Sequence, residues 1–138
     1  MSRLVYLDAS ALVKLVVEEP ESAALAGYLA DEPRILTSSL AAVEVARAVR
    51  LIDPDEPALE RARDILARCD LIEAGRAVRD EAASLDPASL RTLDAIHLAS
   101  ALRVREELET TVIYDRRLAA AAAASGLEVA APGQPTTA

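Results

Sequence analysis

Short runs of strand-forming residues that each stop at an acid or a hydroxyl, and give way at once to helical spacing, are what most constrain this chain. Residues 3 to 8 are one such run, in which Leu4-Val5-Tyr6-Leu7 stops at Asp8, with Ser10 and a helical pattern behind it. Glu18, Glu19 and Pro20 break that helix, and Pro20 opens a second one running to about Leu29. Ile35-Leu36-Thr37 ends in Ser38-Ser39, a pair suited to cap a helix from Leu40 to about Leu51. Asp53-Pro54-Asp55-Glu56-Pro57 breaks the pattern, a helix from Ala58 to Cys69 follows, and Leu71-Ile72 is a minimal strand. Residues 75 to 84 form another helix, ended by Asp86-Pro87, and Thr92 to about Glu107 has the spacing of a long amphipathic helix. Thr111-Val112-Ile113-Tyr114 is a late strand ending at Asp115, which caps an Ala-rich helix from Arg116 to Ser125; Gly126 terminates it, and Leu127 to Ala130 make an edge strand.

Strands alternating with helices at this spacing define an α/β fold, with an open, mostly parallel sheet of about four to five strands flanked by helices on both sides. The chain of 138 residues suits one domain, assigned here to residues 1–131, with a loose tail at 132–138. There is no internal repeat. Sites in such folds form beyond the carboxyl ends of the strands, where the connections diverge. Asp8 and Asp115 both stand at such ends.

The core has to be aliphatic, because Phe and Trp are absent and Tyr6, Tyr28 and Tyr114 are the only aromatic rings besides the single histidine. So few rings exclude the stacking platforms on which many proteins hold single-stranded nucleic acid. With 23 acidic against 15 basic residues, a net charge of −8, no broad basic surface can dominate either. The acid excess has two explanations, ordinary solubility or a site where carboxylates converge on divalent cations. Cys69, alone, excludes an internal disulfide and any multi-cysteine zinc site and suits a reducing cytoplasm. The N-terminus lacks the pattern of a signal peptide, and no apolar run reaches the ~18 residues of a membrane span. A soluble cytoplasmic protein without membrane association is expected.

Glu44, embedded in Ala41-Ala42-Val43-Glu44-Val45-Ala46, and Asp94, within Leu93-Asp94-Ala95-Ile96, lie early in helices that start at the same end of the sheet as Asp8 and Asp115. Any one of 23 acids is ordinarily a solvated charge or a helix cap. Four of them from separate segments meeting at one end would repel strongly unless cations bound among them. An all-oxygen site suits Mg²⁺ or Mn²⁺, and such an ion can activate water for in-line attack on a phosphodiester.

Leu7-Asp8-Ala9-Ser10-Ala11-Leu12-Val13-Lys14-Leu15, the helix around Glu44, Leu90-Arg91-Thr92-Leu93-Asp94-Ala95-Ile96-His97-Leu98-Ala99 and Tyr114-Asp115-Arg116-Arg117-Leu118 together resemble the four signature regions of PIN-domain ribonucleases, and more narrowly those of the VapC toxins of bacterial toxin–antitoxin pairs. Each region alone is short; the four, in order and at family-like spacing, cover nearly the whole chain. The resemblance implies a PIN-like fold and a Mg²⁺- or Mn²⁺-dependent endoribonuclease with Asp8, Glu44, Asp94 and Asp115 as catalytic residues and metal ligands. It further implies a VapB-like antitoxin that wraps the toxin and blocks the site, contact with DNA only through that antitoxin, a homodimer, and structured RNA such as tRNA or ribosomal RNA as substrate. One departure is the pair Ile113-Tyr114 ahead of Asp115, where relatives often carry a hydroxyl or a further acid, which weighs against a second metal position.

Ser10 and Thr92, at the starts of their helices, are supporting candidates, able to orient a carboxylate or a bound water, with plain capping as the structural alternative. Arg116, directly after Asp115, can meet an RNA phosphate; the alternative is a solvated surface arginine. His97, three residues beyond Asp94, is expected to be structural, and Lys14, the only lysine, to be a surface charge. A phospho-accepting signalling receiver would show paired acids after the first strand and a lysine after a late one, and a haloacid-type phosphatase would need a second aspartate at position 10; the chain has none of these. The remaining alternative, a catalytically inactive antitoxin-binding module, does not require all four acids.

Overall fold

Residues 3–135 are described by a computed structural model. Its centre is β1 (Leu4–Leu7), and the sheet runs β3 (Asp70–Ile72), β2 (Arg34–Ser38), β1, β4 (Thr110–Val112), β5 (Val129–Ala130), every pairing parallel. A parallel sheet must be covered on both faces, and alternation along β1 supplies both. Val5 and Leu7 point into a core with α1 (Ala9–Val16), α3 (Ala41–Ile52) and α4 (Glu56–Ala67). Tyr6 points the other way, into a core with α6 (Thr92–Arg103) and α7 (Arg116–Ala124). The two remaining helices, α2 (Ser22–Tyr28) and α5 (Arg76–Ser84), pack against α1 and α6. The five strands lie within the four to five expected, and the sheet is wholly parallel among the described residues.

The order has a direct consequence for function. The chain leaves β1 toward β2 and β3, then crosses back to place β4 on the other side of β1, so connections diverge between β1 and β4. That crevice lies at the strand carboxyl ends, where α1, α3, α6 and α7 also begin. Helices joining parallel strands run back against them, so their N-termini gather at this end, each with a partial positive charge from its unpaired amides.

Local details depart from the sequence expectations in instructive ways. α6 stops at Arg103 and is not amphipathic; all six residues from His97 to Leu102 are buried. It is clamped between the sheet and α5, and Ala95, Ala99, Ser100 and Ala101 are small enough to let both approach. Ser38 and Ser39 do not cap α3 from its N-cap, which is Leu40. The Ser38 hydroxyl accepts from the Leu40 amide, and the Ser39 hydroxyl accepts from the Ala74 amide, tying down the loop after β3. Lys14 is largely buried rather than a free surface charge: its ammonium sits over the Tyr114 ring at 4.7 Å and pairs with Glu19 and Glu21 at 3.6 Å each. In the stretch expected as a loose tail, Pro132 and Gln134 are hydrogen-bonded to Tyr114. The Tyr114 hydroxyl donates to the Pro132 carbonyl, and the Gln134 amide donates to the Tyr114 carbonyl. Residues 136–138 lie outside the described residues.

Gly126 ends α7 as the sequence indicates. At φ +91° it sits where L side chains are strained, its amide donates to the Ala123 carbonyl and the Leu127 amide reaches back to Ala122, the double closure that satisfies terminal carbonyls. A Cβ at Gly126 meets nothing within 4 Å, so only backbone strain opposes it. Gly126→Ala is expected to cost about 1 kcal/mol, read as a lowered midpoint in urea; an unchanged midpoint would mean that this turn bears no strain.

Candidate active site

Asp8 begins where β1 runs out. It is the N-cap of α1, 4% exposed, and one oxygen, Oδ1, accepts from the Ala11 amide at 3.0 Å and the Ser10 hydroxyl at 2.8 Å. Ser10 thus orients the carboxylate, one of the roles its position suggested. Asp115, following the β4 segment, caps α7 in the same way, its Oδ1 accepting from the Leu118 amide at 2.9 Å. Glu44 and Asp94 lie in the first turns of α3 and α6. Glu44 Oε1 is 2.7 Å from His97 Nε2, and Asp94 Oδ2 accepts from Arg91 Nε at 2.9 Å.

The fold therefore brings all four acids to the carboxyl end of the sheet, each with one oxygen fixed by the scaffold. Asp8 Oδ2, Glu44 Oε2 and Asp94 Oδ1 accept no hydrogen bond among the described residues, and Asp115 Oδ2 faces only Arg91, at 3.6 Å. That donor set, four carboxylates of which three keep an oxygen free of any hydrogen bond, is chemically suited to a hard divalent cation. The acids are not closed into a coordination shell: among the described residues no three His, Cys, Asp or Glu side chains stand close enough to share an ion. Arg91 explains part of this, because its guanidinium bridges Asp94 and Asp115 and offsets their repulsion.

Electrostatics follow the geometry. Burial raises the proton affinity of Asp8 above the usual carboxylate range; the Ala11 amide, His97 and Ser10 oppose the shift, and the charge of Asp94 adds to it. Asp94 and Asp115 strengthen the hold of Arg91 on its proton. Burial likewise keeps the Tyr6 phenol protonated, with the negative charges of Asp8 and Glu44 acting in the same sense.

Other candidates are placed less centrally. Thr92 is exposed in the first turn of α6 and makes no hydrogen bond to any of the acids among the described residues, so its anticipated supporting role has no contact behind it. Arg116, at the start of α7, is exposed and forms no ion pair among the described residues. The sequence analysis does not single out Arg91, and it expects His97 to be structural without identifying its partners. Arg91 stands three residues before Asp94, the spacing of a neighbour on a helix face, and that spacing was the available signal. His97 joins Glu44 on one side and the Tyr6 hydroxyl, 2.7 Å from Nδ1, on the other, links across 53 and 91 residues that no local pattern encodes.

Comparison with known proteins places the family and the fold. The PIN domain family model matches residues 5–129. Ribonuclease VapC46 of Mycobacterium tuberculosis is 47% identical over 128 residues, covering 93% of this chain and 97% of that protein. Ribonuclease VapC35 of the same species is 45% identical over 135 residues, with 95% and 98% covered. Among solved structures, VapC20 of M. tuberculosis, described as a toxin that cleaves the sarcin–ricin loop, superposes with a TM-score of 0.73 at 15% identity over 93% of this chain and 99% of that one. VapBC2 of Rickettsia felis, bound to a DNA fragment from its promoter, gives 0.69 at 15% identity over 94% and 98%. A doubly wound parallel sheet with acids at its switch point is thus, here, a PIN domain. The chain belongs to the VapC toxin ribonucleases of that family.

Folding raises the proton affinity of Asp8, so its favourable contribution is complete below the ordinary carboxylate range and is lost as pH rises through the raised value. At neutral pH, without divalent ions, the buried carboxyl group weakens the fold. Asparagine caps a helix as well as aspartate does. Asp8→Asn is therefore expected to melt higher than the native chain in EDTA at pH 7, by roughly 3–5 °C for each kcal/mol relieved. The difference should shrink toward pH 4. Thermal denaturation followed by circular dichroism checks this, and coincident melts at pH 7 would show that Asp8 is not strained by its burial.

Proposed function

We propose that this protein is the toxin of a type II toxin–antitoxin pair and cleaves RNA as a Mg²⁺- or Mn²⁺-dependent endoribonuclease at Asp8, Glu44, Asp94 and Asp115. The observation that carries the reading is that four acids from separate elements are brought to the carboxyl end of the sheet, three of them with an oxygen that accepts no hydrogen bond among the described residues. A divalent cation held there would supply a Lewis acid to activate water and to offset charge on the leaving oxygen. Asp8 is oriented by the Ser10 hydroxyl and the first turn of α1, and Asp115 by the first turn of α7. Arg91, free to leave Asp94 and Asp115, and Arg116, exposed beside Asp115, are positioned to take RNA phosphate oxygens.

Structured RNA, tRNA or ribosomal RNA, is the proposed substrate class; the similar fold of VapC20, a sarcin–ricin loop cleaving toxin, supports it. A VapB-like antitoxin is the proposed partner, with DNA reached only through it; the R. felis VapBC2 complex of similar fold, bound to a promoter DNA fragment, supports such a partner. Val43, Leu51 and Ile52 on α3 and Leu93 beside Asp94 expose apolar surface that suits such a partner or a second copy in a homodimer. No helix among the described residues is long and apolar enough to cross a membrane, and a cytoplasmic site of action is proposed.

Antitoxin-free protein incubated with total RNA and Mn²⁺ should give discrete fragments that vanish with EDTA and fall by at least about 100-fold in Asp8→Asn, the loss of a few kcal/mol of transition-state stabilisation. Absence of metal-dependent cleavage from any RNA would leave an inactive antitoxin-binding module as the better reading. Arg91 competes with a cation for Asp94 and Asp115. Because exposed ion pairs are worth at most about 1 kcal/mol, Arg91→Ala should tighten Mn²⁺ binding by up to roughly fivefold in calorimetric titration; weakened binding would instead make Arg91 part of the metal site.

A further inference from the structure

We propose that His97 is the positioning residue for Glu44, holding one carboxylate oxygen through Nε2 so that the other is presented to the divalent cation, while the Tyr6 hydroxyl fixes the ring that does so. This rests on the reading of the site as a metal-dependent ribonuclease centre. Three elements meet in the relay: Tyr6 on the central strand, His97 on the buried helix α6, and Glu44 at the start of α3. Tyr6 is 1% and His97 3% exposed, and both hydrogen-bond distances are 2.7 Å. The two rings stand edge to face, 5.9 Å between centroids at 78°, so the imidazole is gripped by packing as well as by its polar contacts.

The chemistry of the donors gives the relay a direction. An ionised carboxylate only accepts, so Nε2 carries the proton. In the neutral ring Nδ1 is then an acceptor, and the phenol, kept protonated by its burial, donates to it. The Thr37 hydroxyl, fully buried on the neighbouring strand, has no hydrogen-bond partner, and the Ser100 hydroxyl, one turn beyond His97, turns back to the Ile96 carbonyl. Both hydroxyls lie at the Tyr6 phenol, while the second nitrogen of His97 reaches across to Glu44, the one acid of the four on a long side chain. Asp8 and Asp115 are fixed by their own helix caps. Glu44 has no such cap and three side-chain torsions to restrain, so among the four it is the acid that gains most from an external anchor. Partners that orient metal ligands in this way typically change metal affinity or activity by about 10–100-fold when removed.

Mn²⁺ binding to the full-length, antitoxin-free protein, measured by the electron paramagnetic resonance of free Mn²⁺, tests this alongside thermal melts that establish folding. His97→Leu is expected to weaken binding by about 10–100-fold. His97→Gln, whose amide nitrogen can reach the place of Nε2, should recover most of the loss, and Tyr6→Phe should lie between the two. In a Glu44→Ala background, His97→Leu should cost nothing further in Mn²⁺ affinity, which a residue that merely supports the core would not obey. Native Mn²⁺ affinity in folded His97→Leu overturns the proposal. If His97→Leu does not fold, native affinity in Tyr6→Phe together with no advantage for His97→Gln overturns it equally. Failure of the underlying metal reading shows separately, as a native chain that binds no Mn²⁺.

Discussion

Burying the Asp8 carboxylate at the end of the central strand is the constraint around which the rest of the molecule is arranged. A carboxyl group at 4% exposure is costly, and it persists because the surrounding elements answer it. The first turn of α1 and the Ser10 hydroxyl donate to one oxygen, and four helix N-termini share the same end of the sheet. That convergence is not a separate device; parallel strands with helical crossovers produce it automatically. A sheet of this kind therefore makes an electropositive rim of backbone amides before any side chain is chosen, and the four acids use it.

The same geometry explains how the two halves of the molecule divide the work. The face built from α1, α3 and α4 packs on Val5 and Leu7 and delivers Asp8 and Glu44. The face built from α6 and α7 packs on Tyr6 and delivers Asp94 and Asp115. Neither face alone holds more than two of the acids, so the site exists only when both layers are docked on β1. Arg91 and His97 both come from the α6 side: Arg91 bridges Asp94 and Asp115 within that side, whereas His97 reaches across the junction to Glu44.

The backbone of this architecture was legible in the chain because it is written locally. Alternation of strand and helix spacing located the five strands and the helices between them, and Asp8 and Asp115 announced themselves by stopping strands. What was not legible depends on packing between distant segments. Lys14 follows a surface-like pattern on α1, but Tyr114, 100 positions later, offers it a ring and Glu19 and Glu21 offer charge, so it folds inward. Ser39 appears as a cap, yet the loop after β3 supplies a closer donor. The periodicity of α6 could not show that a second helix, α5, would cover its outer side and turn an amphipathic pattern into a buried one. His97 is the sharpest case, since both of its partners come from other elements.

Tyr6 has one more consequence, which is optical. The chain has no tryptophan and three tyrosines, so its ultraviolet emission is tyrosine emission, undistorted by energy transfer to indole. Tyr28 lies against Arg3 at the opposite end of the sheet, whereas Tyr6 and Tyr114 flank Asp8. The protein thus carries an internal probe with two reporters beside the acids and one distant reference, and events among the carboxylates can be followed by light without attaching any dye.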